Sequence, residues 1–297
     1  MVDFTKKKRI VIKLGTSTLT HKTGKLNIRR MTSLVQVLSD LHNSGKEILL
    51  VSSGAVGMGV GKLNLSEKPK DTPSKQAAAA VGQCELMHIY DDMFSKYSIT
   101  VAQILLTKTI VQNPERCRHV QNTIQRLLEL GVIPIVNEND TVAIDELELE
   151  IGENDSLSAV ISTVADADLL LILSDIDGLF SADPRTHEDA EVVPLVKAID
   201  DSILQMAGGA GTTLGTGGMA TKLNAAQIAT ENGIDMVIMN GRNPNLLYDL
   251  FDNKSVGTLF LAKKGKENRQ DELRTDIGGK GKNRCTGNCQ CQPKGKK

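Results

Sequence analysis

Short runs of aliphatic and β-branched residues recur along the chain, at Ile10 to Leu14, Ile48 to Val51, Ile104 to Leu106, Val132 to Val136, Leu169 to Leu173 and Met236 to Met239. Runs this short and this uniformly apolar predict strands covered on both faces. Between them the period changes. Ile28, Met31, Leu34, Val35, Leu38 and Leu41 fall on one helical face, and Gly45 supplies the stop. Further helices are predicted at 75–96, 115–130, 156–165, 219–232 and 244–251. Crossovers long enough to hold a helix predict an α/β fold, a three-layer α/β/α sandwich around a mainly parallel central sheet.

In such a sheet ligands bind beyond the carboxyl ends of the strands. The first strand exits into Gly15-Thr16-Ser17 and the second into Ser52-Ser53-Gly54-Ala55. The fourth exits into Asn137-Glu138-Asn139-Asp140 and the fifth into Ser174-Asp175. Four of the six predicted strands therefore end in small, polar or acidic residues, which is where chemistry is expected.

Composition narrows the class without changing the fold. The 297 residues carry 35 Lys plus Arg against 36 Asp plus Glu, so no global basic field favours nucleic acid or an anionic membrane. The balance is uneven: residues 265–297 hold nine Lys or Arg against four acids, leaving 26 against 32 in residues 1–264. The Lys6-Lys7-Lys8-Arg9 cluster is not a signal peptide, because Lys13 interrupts the following apolar run well short of the ~7 residues required. No run reaches the ~20 apolar residues of a membrane span. Cys84 and Cys117 give no disulfide pattern, so a cytoplasmic, reducing compartment is expected.

Several constellations point to anions. Gly208-Gly209-Ala210-Gly211, then GTGGMATK at 215–222, is a glycine-dense loop running into a helix, whose free N–H groups suit phosphate. A surface loop is the plain alternative. It is not a Walker A loop, since Lys222 lies between Thr221 and Leu223. The dinucleotide fingerprint Gly215-x-Gly217-x-x-Ala220 fails on context, because no strand leads into Gly215 and Asp235 begins its strand instead of ending one. Ser52 to Gly59 forms a second small-residue nest, with an ordinary strand-to-helix turn at Gly54 as the alternative. Lys13 is a charge inside a buried strand and needs a partner or an anionic ligand, unless it snorkels from an edge. Asp155 and Ser156 could cap a helix starting near Leu157. A cap does not explain why amides and acids also gather at Asn137 to Asp140 and at Gly152-Glu153-Asn154-Asp155. Acids and nests together suit an amino acid bound beside a nucleotide.

Taken in order, Lys13-Leu14-Gly15-Thr16-Ser17, SSGA, NEND, GEND, LSDIDGLF at 173–180 with Ala182-Asp183-Pro184-Arg185, and GTGGMATK resemble the glutamate 5-kinase branch of the amino-acid kinase family over about residues 8–262. The resemblance implies that Ser53, Asp140 and Asn154 contact glutamate, and that Ser174, Asp175 and the stretch Thr216, Gly217, Gly218, Met219, Ala220, Thr221 and Lys222 contact ATP. It further implies that Lys13 and Lys222 surround the transferred phosphoryl group, with Asp155 orienting them. The implied reaction is ATP-dependent phosphorylation of the L-glutamate γ-carboxylate, the first step of proline biosynthesis, with Mg2+ accompanying ATP. Acetylglutamate or aspartate kinases of the same family are the sister reading, and a binding protein without turnover is a different class. Feedback inhibition by L-proline, homo-oligomerisation and a glutamyl phosphate reductase as partner are also implied. No nucleic acid or membrane partner is expected.

The expected organisation is a kinase domain over residues 1–264, its N-terminal part for glutamate and its part from about 166 for ATP, followed by a basic tail at 265–297. Many family members append a PUA domain, and the tail stands about where it would begin, so the form without it is expected. From Gly278 onward there is no Val, Ile, Leu, Met or aromatic residue, which predicts disorder. Cys285, Cys289 and Cys291 match no common zinc spacing and lack a fourth ligand, so no metal site is expected.

Overall fold

The computed structural model describes residues 2–21, 25–142, 154–206 and 218–263, with backbone alone at 17, 108 and 109. A 3-10 turn at Phe4–Lys6 leads into β1 (Arg9–Leu14), a short α1 (Thr16–Leu19) and α2 (Ile28–Asn43). Then follow β2 (Glu47–Val51), α3 (Ala55–Lys62), α4 (Thr72–Ser95), β3 (Val101–Leu106), α5 (Lys108–Gln112), α6 (Pro114–Glu129) and β4 (Ile133–Glu138). The second half runs α7 (Asn154–Val164), β5 (Leu169–Ser174), β6 (Leu195–Val196), α8 (Asp201–Met206), α9 (Met219–Glu231), β7 (Asp235–Asn240), α10 (Leu246–Phe251) and β8 (Thr258–Phe260).

All six predicted strands are present, and they join β6 and β8 in one sheet of order β3-β4-β2-β1-β5-β7-β8-β6. Neighbours are parallel except β7 with β8. From β1 the chain works outward through β2 on one side, then returns to place β5 on the other. That reversal puts the topological switch point beside β1.

Each face of the sheet has its own core. Ile10, Ile12 and Leu14 pack with Leu34 and Leu38 of α2, Leu86 and Tyr90 of α4, and Leu247 of α10. Val11 packs on the opposite face with Ile124 of α6, Ala159 of α7 and Leu223 of α9. Because side chains alternate along a strand, Lys13 is carried to the Val11 face, where α7 and α9 lie. Helix starts are set locally: Asn27, Asp71 and Asn113 each accept from the N–H three residues on. The capping role considered for Asp155 and Ser156 is not what the fold uses, because α7 starts at Asn154 and both lie buried inside its first turn.

One helix pair is packed backbone to backbone. A Cβ on Gly59 of α3 would overlap the carbonyl of Ala78 in α4, and one on Gly82 would overlap the carbonyl of Ala55. Neither obstacle is a side chain that can rotate away. Gly59→Ala and Gly82→Ala are each expected to destabilise by about 3 kcal/mol, the upper end for overpacking, read as a lowered melting temperature. An unchanged melting temperature would mean that α3 and α4 separate freely. Among the described residues no helix is long and apolar enough to cross a membrane.

Candidate active site

Three elements bring charge to one point beyond β1. Lys13 is the next-to-last residue of β1, Asp155 lies in the first turn of α7, and Lys222 lies in the first turn of α9. Lys13 Nζ stands 2.7 Å from Asp155 Oδ1, and Lys222 Nζ stands 3.1 Å from Asp155 Oδ2. The first contact is an ion pair without the directionality of a hydrogen bond, whereas the second is well directed. Thr221 Oγ1 also lies 3.2 Å from Oδ2. The Asp155 side chain is 0% exposed, against 12% for Lys13 and 8% for Lys222. Burial alone would raise its carboxyl, but the two ammonium groups more than offset this and hold it below the usual carboxylate range. Two cations share one anion, so the cluster retains positive charge for a further anion. This arrangement decides the Lys13 alternatives: the residue is paired inside the sheet and is not snorkelling from an edge.

The β2 exit sits alongside. Gly54 takes φ +98° at the start of α3, a conformation that glycine adopts without strain. Ser53 Oγ donates to the Leu14 carbonyl at 2.7 Å, tying the β2 exit to the end of β1. Asn154 Nδ2 donates to the Ser52 carbonyl at 2.8 Å, which brings the α7 start to the same exit. Asp140 follows β4, and no hydrogen bond or ion pair among the described residues joins it to the Lys13-Asp155-Lys222 cluster. Burial, reinforced by Glu138 and partly opposed by Lys68, pushes its carboxyl up to about 6.

On the other side, Ser174 ends β5 and is buried, with its hydroxyl 3.3 Å from Asp175 Oδ1. Gly218 precedes α9 and makes no side-chain cap, so the helix start is left to backbone N–H groups. Met219, half-buried against the core, and the exposed Ala220 open that helix. Thr216 and Gly217, the glycines at 208–211 and the cysteines of the tail lie outside the described residues. Sequence reasoning also missed Asn240, which ends β7, donates to Asp177 at 2.6 Å and accepts from the Arg242 N–H. Its signal was present, since β7 also exits into Asn-Gly.

The chain matches the amino acid kinase family over residues 8–240. It belongs to that family. Among curated relatives it is 55% identical over 260 residues to a glutamate 5-kinase of Clostridium perfringens, covering 87% of this chain and 97% of the relative. It is 54% identical over 255 residues to a glutamate 5-kinase of Clostridium tetani, covering 86% and 95%. A glutamate 5-kinase of Caldanaerobacter subterraneus is 50% identical, with 86% of this chain and 68% of the relative covered. Solved structures of the same fold include a UMP kinase from Ureaplasma parvum, with TM-score 0.58, 15% identity, and 86% and 99% of the two chains covered. An isopentenyl phosphate kinase from T. acidophilum gives TM-score 0.58 at 16% identity, covering 85% and 100%.

Proposed function

We propose that this amino acid kinase transfers the γ-phosphoryl group of ATP to the γ-carboxylate of L-glutamate, giving ADP and L-glutamyl 5-phosphate, the first step of proline biosynthesis. The observation that carries the reading is the buried Lys13-Asp155-Lys222 cluster. A carboxylate with pKa ~4.3 is already ionised at neutral pH, so it needs no general base. The obstacle is electrostatic, an anion approaching a polyanion. Two lysines on opposite sides of one fixed aspartate answer that demand, because they are preorganised where phosphoryl charge builds. The start of α9 adds backbone donors beside Lys222.

On this reading the half before about residue 166 takes glutamate, with Ser53, Asp140 and Asn154 as contacts, and the half after it takes ATP through Ser174, Asp175 and residues 216–222. Mg2+ belongs with ATP. No three His, Cys, Asp or Glu side chains converge among the described residues, and Asp155 is committed to its lysines. The ion would be held mainly by phosphate oxygens and water. Assembly into homo-oligomers, inhibition by L-proline and delivery of the acyl phosphate to a reductase follow from the same reading.

ADP release measured over glutamate, acetylglutamate, aspartate and UMP tests the proposal. Activity on glutamate alone is expected, and preference for another acceptor would overturn it.

Asp140 supplies a pH signature. Its folded-state carboxyl sits near 6, above its ordinary value, so it is protonated at lower pH and charged above. If it pairs with the substrate ammonium, the glutamate KM should rise as pH falls from 7 to 5, by up to about tenfold per unit below 6. The stability sign is opposite: a raised carboxyl favours the folded state below the unfolded pKa, and that contribution is lost as pH rises through 6. Asp140→Asn should weaken glutamate binding and flatten the profile. A flat wild-type profile, or an effect on the ATP KM instead, would remove Asp140 from the glutamate subsite.

A further inference from the structure

Helix α4 reaches into the exits of two strands. Gln83 Oε1 accepts from Asn137 Nδ2 at 2.8 Å, and Tyr90, two turns further along α4, has its hydroxyl 3.0 Å from Ser52 Oγ. The orientation of each amide is dictated by backbone groups with a single role. The Glu138 N–H only donates, and it lies 2.9 Å from Asn137 Oδ1. Asn137 must therefore turn its NH2 toward Gln83, and Gln83 must answer with its oxygen. The Ser52 carbonyl only accepts, so Asn154 keeps its NH2 on Ser52, with the same nitrogen 3.5 Å from Asn137 Oδ1.

Two atoms are left over. Asn154 Oδ1 makes no hydrogen bond among the described residues. Gln83 Nε2 is buried without a partner among the described residues, in a residue only 8% exposed. An orphaned buried donor is a standing cost, and the oxygen of the same side chain offsets it by giving the buried Asn137 Nδ2 its acceptor. Gly82, the preceding residue, pins α4 against α3 and fixes where Gln83 stands.

We propose that Gln83 is a positioning residue of the amino-acid subsite. Its side-chain oxygen holds Asn137 in place, and Asn137 Oδ1 steadies the Asn154 NH2 that the Ser52 carbonyl already orients, so that Asn154 keeps presenting a carbonyl oxygen, an acceptor suited to an ammonium group and not to a carboxylate. The inference rests on the functional reading above, and goes beyond it by naming a residue on α4 that sets selectivity without touching substrate.

The test is steady-state kinetics on the full chain, with melting curves. Gln83→Leu should raise the glutamate KM about tenfold, the scale of one misplaced hydrogen bond, while kcat and the ATP KM stay within about twofold. Its melting temperature should fall by no more than a few degrees, because the orphaned Nε2 is gone while Asn137 Nδ2 loses its acceptor. Gln83→Glu keeps an oxygen facing Asn137 and should recover most of the glutamate KM. If Gln83→Leu does not fold, Gln83→Met is read in its place. A wild-type glutamate KM in the apolar variant overturns the proposal, as does a joint rise of both KM values with a larger fall in melting temperature. Failure of Gln83→Glu to recover binding overturns it too. A wild-type chain inactive on glutamate would instead fail the functional reading, and the same KM comparison would then be made with the acid that the substrate panel selects.

Discussion

Asp155→Asn is expected to lower kcat by about 10³-fold or more and to lower the melting temperature. The carboxylate is fully buried and is the common partner of both lysines. Asparagine keeps its size, but the two ammonium groups then share a neutral amide whose NH2 must face one of them. Breaking a buried charge arrangement by removing one partner costs about 3–5 kcal/mol of stability. The loss of preorganised donors costs on the order of 10²–10³ in turnover for each one displaced. ATP brings negative charge to the same point, so it should raise the melting temperature of the variant by more than it raises that of the wild type. Near-normal turnover would show that Asp155 orients nothing the reaction needs. Equal thermal shifts with ATP would show that the nucleotide does not reach the lysines.

The lysines themselves give the second large effect. Lys13→Met or Lys222→Met should each lower kcat by about 10²-fold or more, with a smaller change in ATP binding, because charge is offset mainly as it builds during transfer. Each single variant should keep its fold, since methionine retains most of the stem and Asp155 still holds one cation. The double variant differs in both respects. Its kcat loss should be smaller than the product of the two single losses, since both lysines act on one phosphoryl group. Its melting temperature should fall, because Asp155 is then a buried and unpaired anion. Strictly multiplicative losses, or a single variant with near-normal kcat, would count against a shared target.

The sheet was legible because its central strands are buried on both faces, which turns burial into uninterrupted apolar runs such as Leu169 to Leu173. The same logic made Lys13 conspicuous. A charge at the end of such a run requires a partner, although only the fold reveals that the partner is Asp155, more than a hundred residues away. The peripheral strands β6 and β8 span two and three residues, too few to display a period. Helix α3 reads AVGMGVGK, which has little intrinsic helical tendency, and it forms where glycine lets α4 approach its backbone. Gln83 was illegible for a related reason. A lone glutamine on a helix carries no motif, and its meaning lies in Asn137, which a different strand supplies.

Transfer to the γ-carboxylate is tested most directly by oxygen labelling. With glutamate carrying ¹⁸O in its γ-carboxylate, ATP and the full chain, the acyl phosphate is trapped with hydroxylamine, which attacks the acyl carbon and expels phosphate. The account predicts released phosphate bearing one ¹⁸O, inherited from the glutamate oxygen that attacked ATP. Phosphate free of ¹⁸O, with ADP formed at the same rate whether or not glutamate is present, would contradict it.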